Sequence, residues 1–261
     1  DPYEGQQLGE IWGYVVDGYF KTDEEARNYK VDQSFVNQMI NASALDNGLH
    51  AGDLKFVDLD GNNKIEQKTS ANDRKDMKVI GNSLPRYNYN FGISADWYGI
   101  DFSVLFQGIG KQNWYPGAET SMFWGPYSRP YASFIPSDFM SQVWSEENTD
   151  AYFPRPRGYV ALGSNRELAV VNTKYLQNLA YCRLKNLSIG YTLPDKWLSK
   201  IGFEKIRVYF SGENLLTFTK LHSDYIDPEQ ASASNSWKTS KSDANIYPWA
   251  KTYSFGVDIT F

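Results

Sequence analysis

The chain ends in a stretch in which apolar and polar residues alternate. In "YSFGVDITF", residues 253–261, aromatic and aliphatic side chains occupy every odd position, and Ser, Gly, Asp and Thr occupy the even ones. Because successive side chains of a β-strand point to opposite faces, this period of two predicts a strand with one apolar and one polar face.

Four further stretches show the same alternation. They are "RYNYNFGISADW" at 86–97, "IDFSVLFQG" at 100–108, "NLSIGYTL" at 186–193 and "FEKIRVYFSGENLLTF" at 203–218. The connection "YGID" between the first two predicts a tight hairpin. Arg183 and Lys185 fall on the apolar face of their strand. At these two residues we therefore expect either a bulge or the point where the strand leaves the apolar zone.

The connections alternate between short and very long. "YGID" and "PDKWLSKIGFEK" are short, whereas the segments 111–175 and 219–248 are long. Loops of that length are uncommon in compact soluble domains, and short turns opposite long loops are typical of outer-membrane barrels. The predicted fold class is all-β, a transmembrane antiparallel β-barrel segment with long extracellular loops. The alternative is a soluble all-β domain, because a sandwich has the same period of two.

The direction of each strand follows from the last one. If the chain ends at the periplasmic side, with Phe261 in an aromatic girdle, the strand at 86–98 also descends toward the periplasm. Residues 1–85 and both long loops are then expected outside the cell, ahead of and between the barrel strands of 86–261. In the first region, "GEIWGYVVDGYF" predicts a strand of undetermined register, and "KTDEEARNY" predicts a short helix with an acidic first turn.

Composition excludes several classes of function. The net charge of −5 argues against a nucleic-acid partner, and no 18-residue apolar run or signal peptide is present. Cys182 is the one cysteine, and it is accompanied only by His50 and His222, so zinc and Cys–His chemistry have few ligands. Acid pairs such as Glu146 with Glu147 arise by chance among 31 acids, and we expect no enzyme activity.

Several motifs together resemble one known family along nearly the whole chain. They are "EGQQLGEIWGYVVDGYF", "GDLKFVDLDGNNKI", "VIGNSLPRYNYNFGISADWYGIDFSVLFQG", "LKNLSIGYTLPDKWLSKIG" and "RVYFSGENLLTFTK", followed by a terminal strand that ends in Phe. In this order they resemble the C-terminal part of SusC/RagA-type TonB-dependent transporters. Members of that family are much longer, with a barrel of about 22 strands, and the resemblance implies that their plug domain and TonB box lie outside this chain.

The resemblance also implies a function. It implies an outer-membrane protein that actively imports a large nutrient, usually a glycan and sometimes a peptide. A SusD-like surface lipoprotein would cover the barrel, and TonB would supply energy through the plug. Two alternatives remain: a structural or adhesive barrel without energised transport, and a soluble carbohydrate-binding β-domain.

The segment "DLDGNNKIE" resembles a calcium loop. Oxygen ligands at alternate positions let a short loop surround a hard cation such as Ca²⁺. The sequence departs from the pattern at Asn63, where Gly is usual, and at Thr69, where an acid is usual; Asp73 or Asp76 could replace that acid if "QKTSAN" loops out. The alternative is an Asx-rich turn without metal. The candidate ligands are Asp58, Asp60, Asn62, Lys64 through its carbonyl, and Glu66.

The long loop at 111–175 is rich in aromatic residues interleaved with polar ones. Aromatic faces beside polar groups suit sugar rings, and the same residues are enriched where proteins bind each other, so packing within the loop or against a lipoprotein is the alternative. The candidate substrate-binding residues are Trp114, Tyr115, Trp124, Tyr127, Tyr131 and Arg155.

Overall fold

The computed structural model describes residues 3–37, 48–128, 135–200, 202–233, 241–242 and 247–261. These residues form a wall of five long strands and a loop body, which we define as the described residues of 3–82, 112–180 and 220–233. Among the described residues, no helix is long and apolar enough to cross a membrane.

The elements are short in the loop body and long in the wall. The strands are β1 (Glu10–Tyr14), β2 (Val16–Tyr19), β3 (Leu54–Phe56), β4 (Met77–Asn82), β5 (Arg86–Trp97), β6 (Ile100–Lys111), β7 (Asn113–Pro116), β8 (Gln177–Asn178), β9 (Tyr181–Thr192), β10 (Lys205–Thr219), β11 (Lys241–Ser242) and β12 (Thr252–Thr260). The α-helices are α1 (Asp23–Arg27), α2 (Ser121–Trp124), α3 (Asp195–Leu198) and α4 (Pro228–Ala233), and 3₁₀ helices span Gly125–Tyr127, Phe139–Gln142 and Tyr159–Leu162.

The wall is a single antiparallel sheet in the order β12–β10–β9–β6–β5. Its strands coincide with the five alternating stretches of the sequence, so the predicted strands are confirmed. β5 and β6 are joined by Tyr98 and Gly99, which both have positive φ, of 47° and 83°. A two-residue turn with this backbone matches the twist of the flanking strands, as expected for the predicted hairpin.

The register of the wall separates an apolar face from a polar one. Phe91 lies opposite Phe106 with the two rings stacked 4.9 Å apart, and Phe210 lies opposite Phe255 with ring centroids 5.1 Å apart. Such aromatic cross-strand pairs stabilise a sheet by about 0.2–1 kcal/mol each relative to alanine pairs. The predicted alternation of faces is therefore present in the strand register.

A β-bulge explains why the alternation fails near Arg183. Two consecutive residues of β6 pair with Asn186 and Leu184 of β9, which leaves Lys185 as an extra residue in β9. One inserted residue reverses the faces of everything beyond it. Arg183 consequently lies on the polar face, where its Nε donates a 2.9 Å hydrogen bond to the hydroxyl of Thr217.

A row of charges crosses the polar face near the β5–β6 turn. The guanidinium of Arg207 on β10 donates two hydrogen bonds to Asp101 on β6, at 2.8 and 2.6 Å, and one of 3.2 Å to Asp258 on β12. The ion pair between Arg207 and Asp101 spans β9 at Gly190. A Cβ at position 190 would lie 2.4 Å from Asp101 Oδ1, so only glycine leaves room for this ion pair.

The loop body has one main core built from segments that are far apart in sequence. β1 pairs with β4, β2 with β3, and β7 with β8, and the backbone of Tyr14 bonds that of Val171 and of Thr173. The sequence "GEIWGYVVDGYF" thus forms β1 and β2 in the loop body and no wall strand. The predicted short helix is confirmed as α1, which begins after Thr22, whose hydroxyl accepts a hydrogen bond from the Glu25 backbone.

Amide side chains tie together the two chain segments that connect the loop body to β5 and β6. The Gln112 amide donates a 2.9 Å hydrogen bond to the Ser83 carbonyl, and the backbone N–H of Asn82 donates one of 3.2 Å to the Asn113 side chain. These bonds hold the segment that enters β5 beside the segment that leaves β6. The loop body therefore lies at the end of the wall opposite the β5–β6 turn.

Candidate functional site

The aromatic residues predicted to bind substrate form the core of the loop body. Trp114, Tyr115 and Trp124 are 0% exposed and Tyr127 is 1% exposed. Side chains buried to this extent present no ring face to a ligand, so their positions do not support the predicted substrate contacts. Tyr131 lies outside the described residues.

Hydrogen bonds to backbone carbonyls fix these buried rings. Trp124 Nε1 donates to Gly117 at 3.0 Å, the Tyr115 hydroxyl donates to Leu168 at 2.8 Å, and the Tyr127 hydroxyl donates to Pro154 at 2.6 Å. Buried Trp and Tyr normally find such partners. The sequence contains no marker that distinguishes a loop aromatic of this kind from an exposed one, because the partners are irregular segments far along the chain.

Arg155, the sixth predicted substrate residue, belongs to a buried charge cluster. Its Nε donates a 2.5 Å hydrogen bond to Asp53 Oδ1, and the Arg157 guanidinium contacts the same carboxylate. Arg157 Nε also lies 2.6 Å from Glu167 Oε1, and both acids are fully buried. Arg155 keeps 32% of its side chain exposed, so part of it still reaches solvent.

Glu167 is the poorly satisfied member of this cluster. Although Arg157 Nε and Glu167 Oε1 are within ion-pair distance, they are not aligned as donor and acceptor of a hydrogen bond. Burial raises the pKa of the Glu167 carboxyl to about 7, against the opposing effect of the Arg157 charge. The cluster ties the start of β3 to the segment 155–167, since the Leu54 backbone N–H also donates to Glu167.

The predicted calcium loop brings three carboxylates together. Oxygen atoms of Asp58, Asp60 and Asp76 all lie within 4.8 Å of one another. Asp58 accepts hydrogen bonds from the backbone N–H groups of Gly61 and Asn63, both at 2.7 Å. Asn63 has a φ of 62°, the left-handed conformation that glycine usually supplies at this position and that asparagine tolerates.

The third acid of this group is Asp76, which the sequence indicated, together with Asp73, only as a substitute for the acid missing at Thr69. Glu66 lies near lysines, 3.5 Å from Lys64 Nζ and 3.9 Å from Lys75 Nζ, while its backbone N–H donates to Asp76 at 2.7 Å. Asn62 uses its side-chain oxygen to accept from the Lys64 backbone. Asp58 and Asp60 thus converge with Asp76. Glu66 is not one of these three carboxylates, although the Asn62 amide donates to both Asp60 and Glu66.

The electrostatics of this group favour a cation. Burial, together with the nearby charges of Asp60 and Asp58, raises the pKa of Asp76 even though two backbone N–H groups donate to it. The pKa of Asp58 is lowered, because its backbone donors outweigh the opposite effect of burial. Three oxygen donors of this type, drawn from carboxylates, are suited to Ca²⁺.

The chain is similar in sequence to known receptors. It is 28% identical over 264 residues to TonB-dependent receptor P3 of Formosa agariphila and 26% identical over 283 residues to TonB-dependent receptor P39 of the same organism. Each alignment covers 99% of this chain and 22% or 25% of the relative, so the chain spans about a quarter of their length. No family model matches it.

Solved structures show a similar fold. The RagAB peptide importer in the open-open state aligns with a TM-score of 0.55 and 19% identity over 97% of this chain and 22% of that one. A second structure, of the RagAB peptide transporter, aligns with a TM-score of 0.56 and 18% identity over 99% of this chain and 24% of that one. The all-β barrel-segment fold is confirmed, as is the resemblance to SusC/RagA-type TonB-dependent transporters.

Proposed function

Because the chain matches one portion of TonB-dependent transporters, we propose that it forms part of an outer-membrane barrel that imports a large nutrient. The observation that carries this proposal is the wall itself, with faces of opposite polarity and two outer strands. Within the described part of the chain, β5 and β12 each pair on one side only. Backbone groups inside a bilayer must all be paired, so these edges call for further strands of the whole protein.

In this proposal the apolar face of the wall contacts lipid and the polar face lines the lumen. Phe255 is 82% exposed, Phe91 49% and Ile259 47%, and all three lie on the apolar face. Tyr87, Tyr89 and Trp97 are assigned to lipid as well, while Asn88, Asn90, Asp96 and Asp258 are assigned to the lumen. Large aromatic side chains on a solvent-exposed face would be an aggregation hazard, whereas on a lipid face they stabilise insertion.

The orientation and partners follow from the same proposal. The C-terminus and the turn that contains α3 lie at the periplasmic side, and the loop body lies outside the cell. A SusD-like surface lipoprotein covers the loop body, whose exposed Met140 (63%) and Tyr159 (53%) offer apolar contacts. TonB supplies energy through a plug domain encoded elsewhere in the whole protein, and no enzyme activity is involved.

A glycan is the first substrate class, since the resemblance to SusC implies it. A peptide is the second, because the structural neighbours are named as a peptide importer. Trp114 and Trp124 are buried and cannot stack on a sugar ring, so these two residues do not support a glycan over a peptide.

Uptake by cells that express the whole protein tests the proposal. Fluorescent oligosaccharides and oligopeptides would be supplied separately, with and without an uncoupler of the proton-motive force. We expect one class to accumulate in the periplasm only in energised cells, while binding at the cell surface continues in both conditions. Surface binding without uptake of either class would instead support the adhesive barrel.

We also propose that Asp58, Asp60 and Asp76 bind Ca²⁺ and thereby brace the segment before β5. Asn62 and the Lys64 carbonyl remain as candidate ligands, and Glu66 is placed outside the set. The bound ion would offset the mutual repulsion of three carboxylates. In this proposal the role of the ion is structural, because the group belongs to the loop body.

A further inference from the structure

The segment Asp227–Ala231, which we call the strap, lies against the polar face of the wall. Asp227 and Glu229 reach Arg183 of β9, with Nη2 to Asp227 Oδ2 at 2.6 Å and Nη1 to Glu229 Oε2 at 2.7 Å. Lys185 adds a contact of 2.9 Å to Glu229. Two cations and two carboxylates therefore hold the strap to the wall.

The β-bulge in β9 makes this contact possible. If Lys185 took a regular position in the strand instead of forming a bulge, Arg183 would lie on the apolar face and could not meet the strap. Arg183 also donates a hydrogen bond to the hydroxyl of Thr217 on β10, and this bond orients the guanidinium independently of the strap. Its side chain is 3% exposed and that of Asp227 is 5% exposed, so the central pair is shielded from water.

The residues just before the strap are fixed in the loop body. His222 stacks on Tyr152 with ring centroids 3.5 Å apart, and its Nε2 lies 2.8 Å from Gln142 Oε1. The Ser223 hydroxyl donates to the Met122 carbonyl at 2.9 Å, and Ile226 is 4% exposed. The chain is thus anchored up to Ile226. Beyond it the strap is held by its charged contacts and by Ala231, which is 0% exposed and belongs to the main core of the loop body.

Charged contacts of this kind differ from apolar ones in the free energy needed to break them. Burying a charged pair involves a desolvation penalty that nearly cancels the attraction, so the paired and hydrated forms of such a network are close in free energy. Exposing an apolar core has no such compensation. Two apolar residues of the strap are buried, Pro228 and Ala231. The helix α4 that contains them is too short to be stable alone.

We propose that the strap is a latch across the polar face of the wall, closed by Arg183 and Lys185 and able to lift away from that face. On the proposed function, which this inference extends, the polar face lines the import passage. The closed strap then narrows the mouth of that passage, and its opening admits the substrate. When the strap opens, water hydrates both carboxylates and both cations.

Cysteine labelling measures the opening directly. The whole protein would carry Cys182→Ala and Ala231→Cys, and a maleimide reagent would be added to cells or to purified protein. Ala231 is 0% exposed when the strap is closed, so slow labelling is expected. Arg183→Gln should raise the labelling rate at least tenfold, and Arg183→Lys, which keeps the charge, should give an intermediate rate.

Two controls separate a latch from general loosening. Arg207→Gln breaks a second arginine–carboxylate pair on the same face, away from the strap, and should change the rate less than twofold. Ala161→Cys, 0% exposed in the loop-body core, should stay unlabelled in every variant. Equal labelling of Ala231→Cys with and without Arg183, or parallel labelling of Ala161→Cys, would overturn the proposal. Labelling does not require transport, so a chain that fails to import nutrient can still confirm or refute the latch.

Discussion

Glu167 illustrates at the scale of single residues how burial acts on a charge in the loop body. It is fully buried, its contact with Arg157 is poorly aligned, and its pKa is raised to about 7. A carboxyl with a higher pKa in the folded state binds more protons when folded. The free energy of unfolding therefore falls as pH rises from about 4.5 to about 7 and stays lower above that range.

Replacement of Glu167 should flatten this pH dependence. Thermal unfolding would be followed by tryptophan fluorescence at pH 5 and at pH 8. The decrease in stability from pH 5 to pH 8 should be larger in the parent than in Glu167→Gln. Glu146→Gln removes a charge from an exposed position and serves as the matched control, with the same pH dependence as the parent. Asp76 adds a slope of the same sign to all three proteins. An unchanged slope in Glu167→Gln would contradict the account.

The carboxylate group at the calcium loop gives a second residue-scale prediction. Asp76→Asn and Asp58→Ala should each accelerate proteolysis of the segment before β5 in the presence of calcium, and a chelator should accelerate it in the parent. Binding adds about 2.7 kcal/mol at a hundredfold excess over Kd, which is expected to lie in the range of ~10⁻⁴–10⁻³ M.

Asp73→Asn is the matched control for this experiment. Asp73 is close in sequence but bonds Thr69 and lies 3.6 Å from the ammonium of Lys75, outside the three-carboxylate group. Its replacement should leave the calcium response intact. Cleavage rates that respond to neither calcium nor chelator in the parent would identify "DLDGNNKIE" as a turn without metal.

Residue roles were the part that the sequence predicted least well. Asp58 and Asp60 could be recognised because their spacing is local, and the left-handed Asn63 followed from the same pattern. Asp76 was considered only as a substitute, since it lies ten positions beyond Glu66 along an irregular part of the chain. Trp114 and Trp124 were candidate substrate contacts, with packing within the loop as the alternative. The sequence could not decide between the two because burial in the loop body depends on partners distant in sequence.

Elements were predicted far better, because the period of two is a local property. All five wall strands were found from alternation. The break at Arg183 left two interpretations open, a bulge or the end of the apolar zone, and the structure has the bulge. The strands β1 to β4 were missed as pairs, since each is short and its partner lies some forty to seventy residues away. Alternation shows which face of a strand each side chain occupies, but it does not show which strands pair with each other.

The assignment of the apolar face to lipid is testable with one pair of substitutions. Phe255→Arg places a charge on that face and should cost about 2–4 kcal/mol near the bilayer midplane, and less near an interface. Ser254→Arg places the same charge on the neighbouring residue, on the polar face, and should cost far less. Urea unfolding of the whole protein in lipid vesicles measures both. A larger loss of unfolding free energy in Ser254→Arg than in Phe255→Arg would show that the other face of the wall contacts lipid.

At the scale of the whole molecule, the long loops form one folded body. Segments from 3–82, 112–180 and 220–233 share a core, and contacts such as that between Tyr14 and Val171 join residues far apart in sequence. The sequence predicted that these segments lie on one side of the wall. It could not predict that they fold together, because that depends on packing between irregular segments.

This arrangement places the loop body and the turn that contains α3 at opposite ends of the wall. If the wall crosses the outer membrane, one end is open to reagents outside the cell and the other is not. Tyr159 in the loop body is 53% exposed and Trp197 in the turn is 60% exposed, so each offers an accessible position for a cysteine.

The most direct test of the account is therefore labelling of these two positions in intact cells. The whole protein, with Cys182→Ala, would carry either Tyr159→Cys or Trp197→Cys and be treated with a membrane-impermeant maleimide. The proposed orientation of the wall predicts labelling of Tyr159→Cys in intact cells and of Trp197→Cys only after the outer membrane is permeabilised. Labelling of Trp197→Cys in intact cells, with Tyr159→Cys protected, would contradict it.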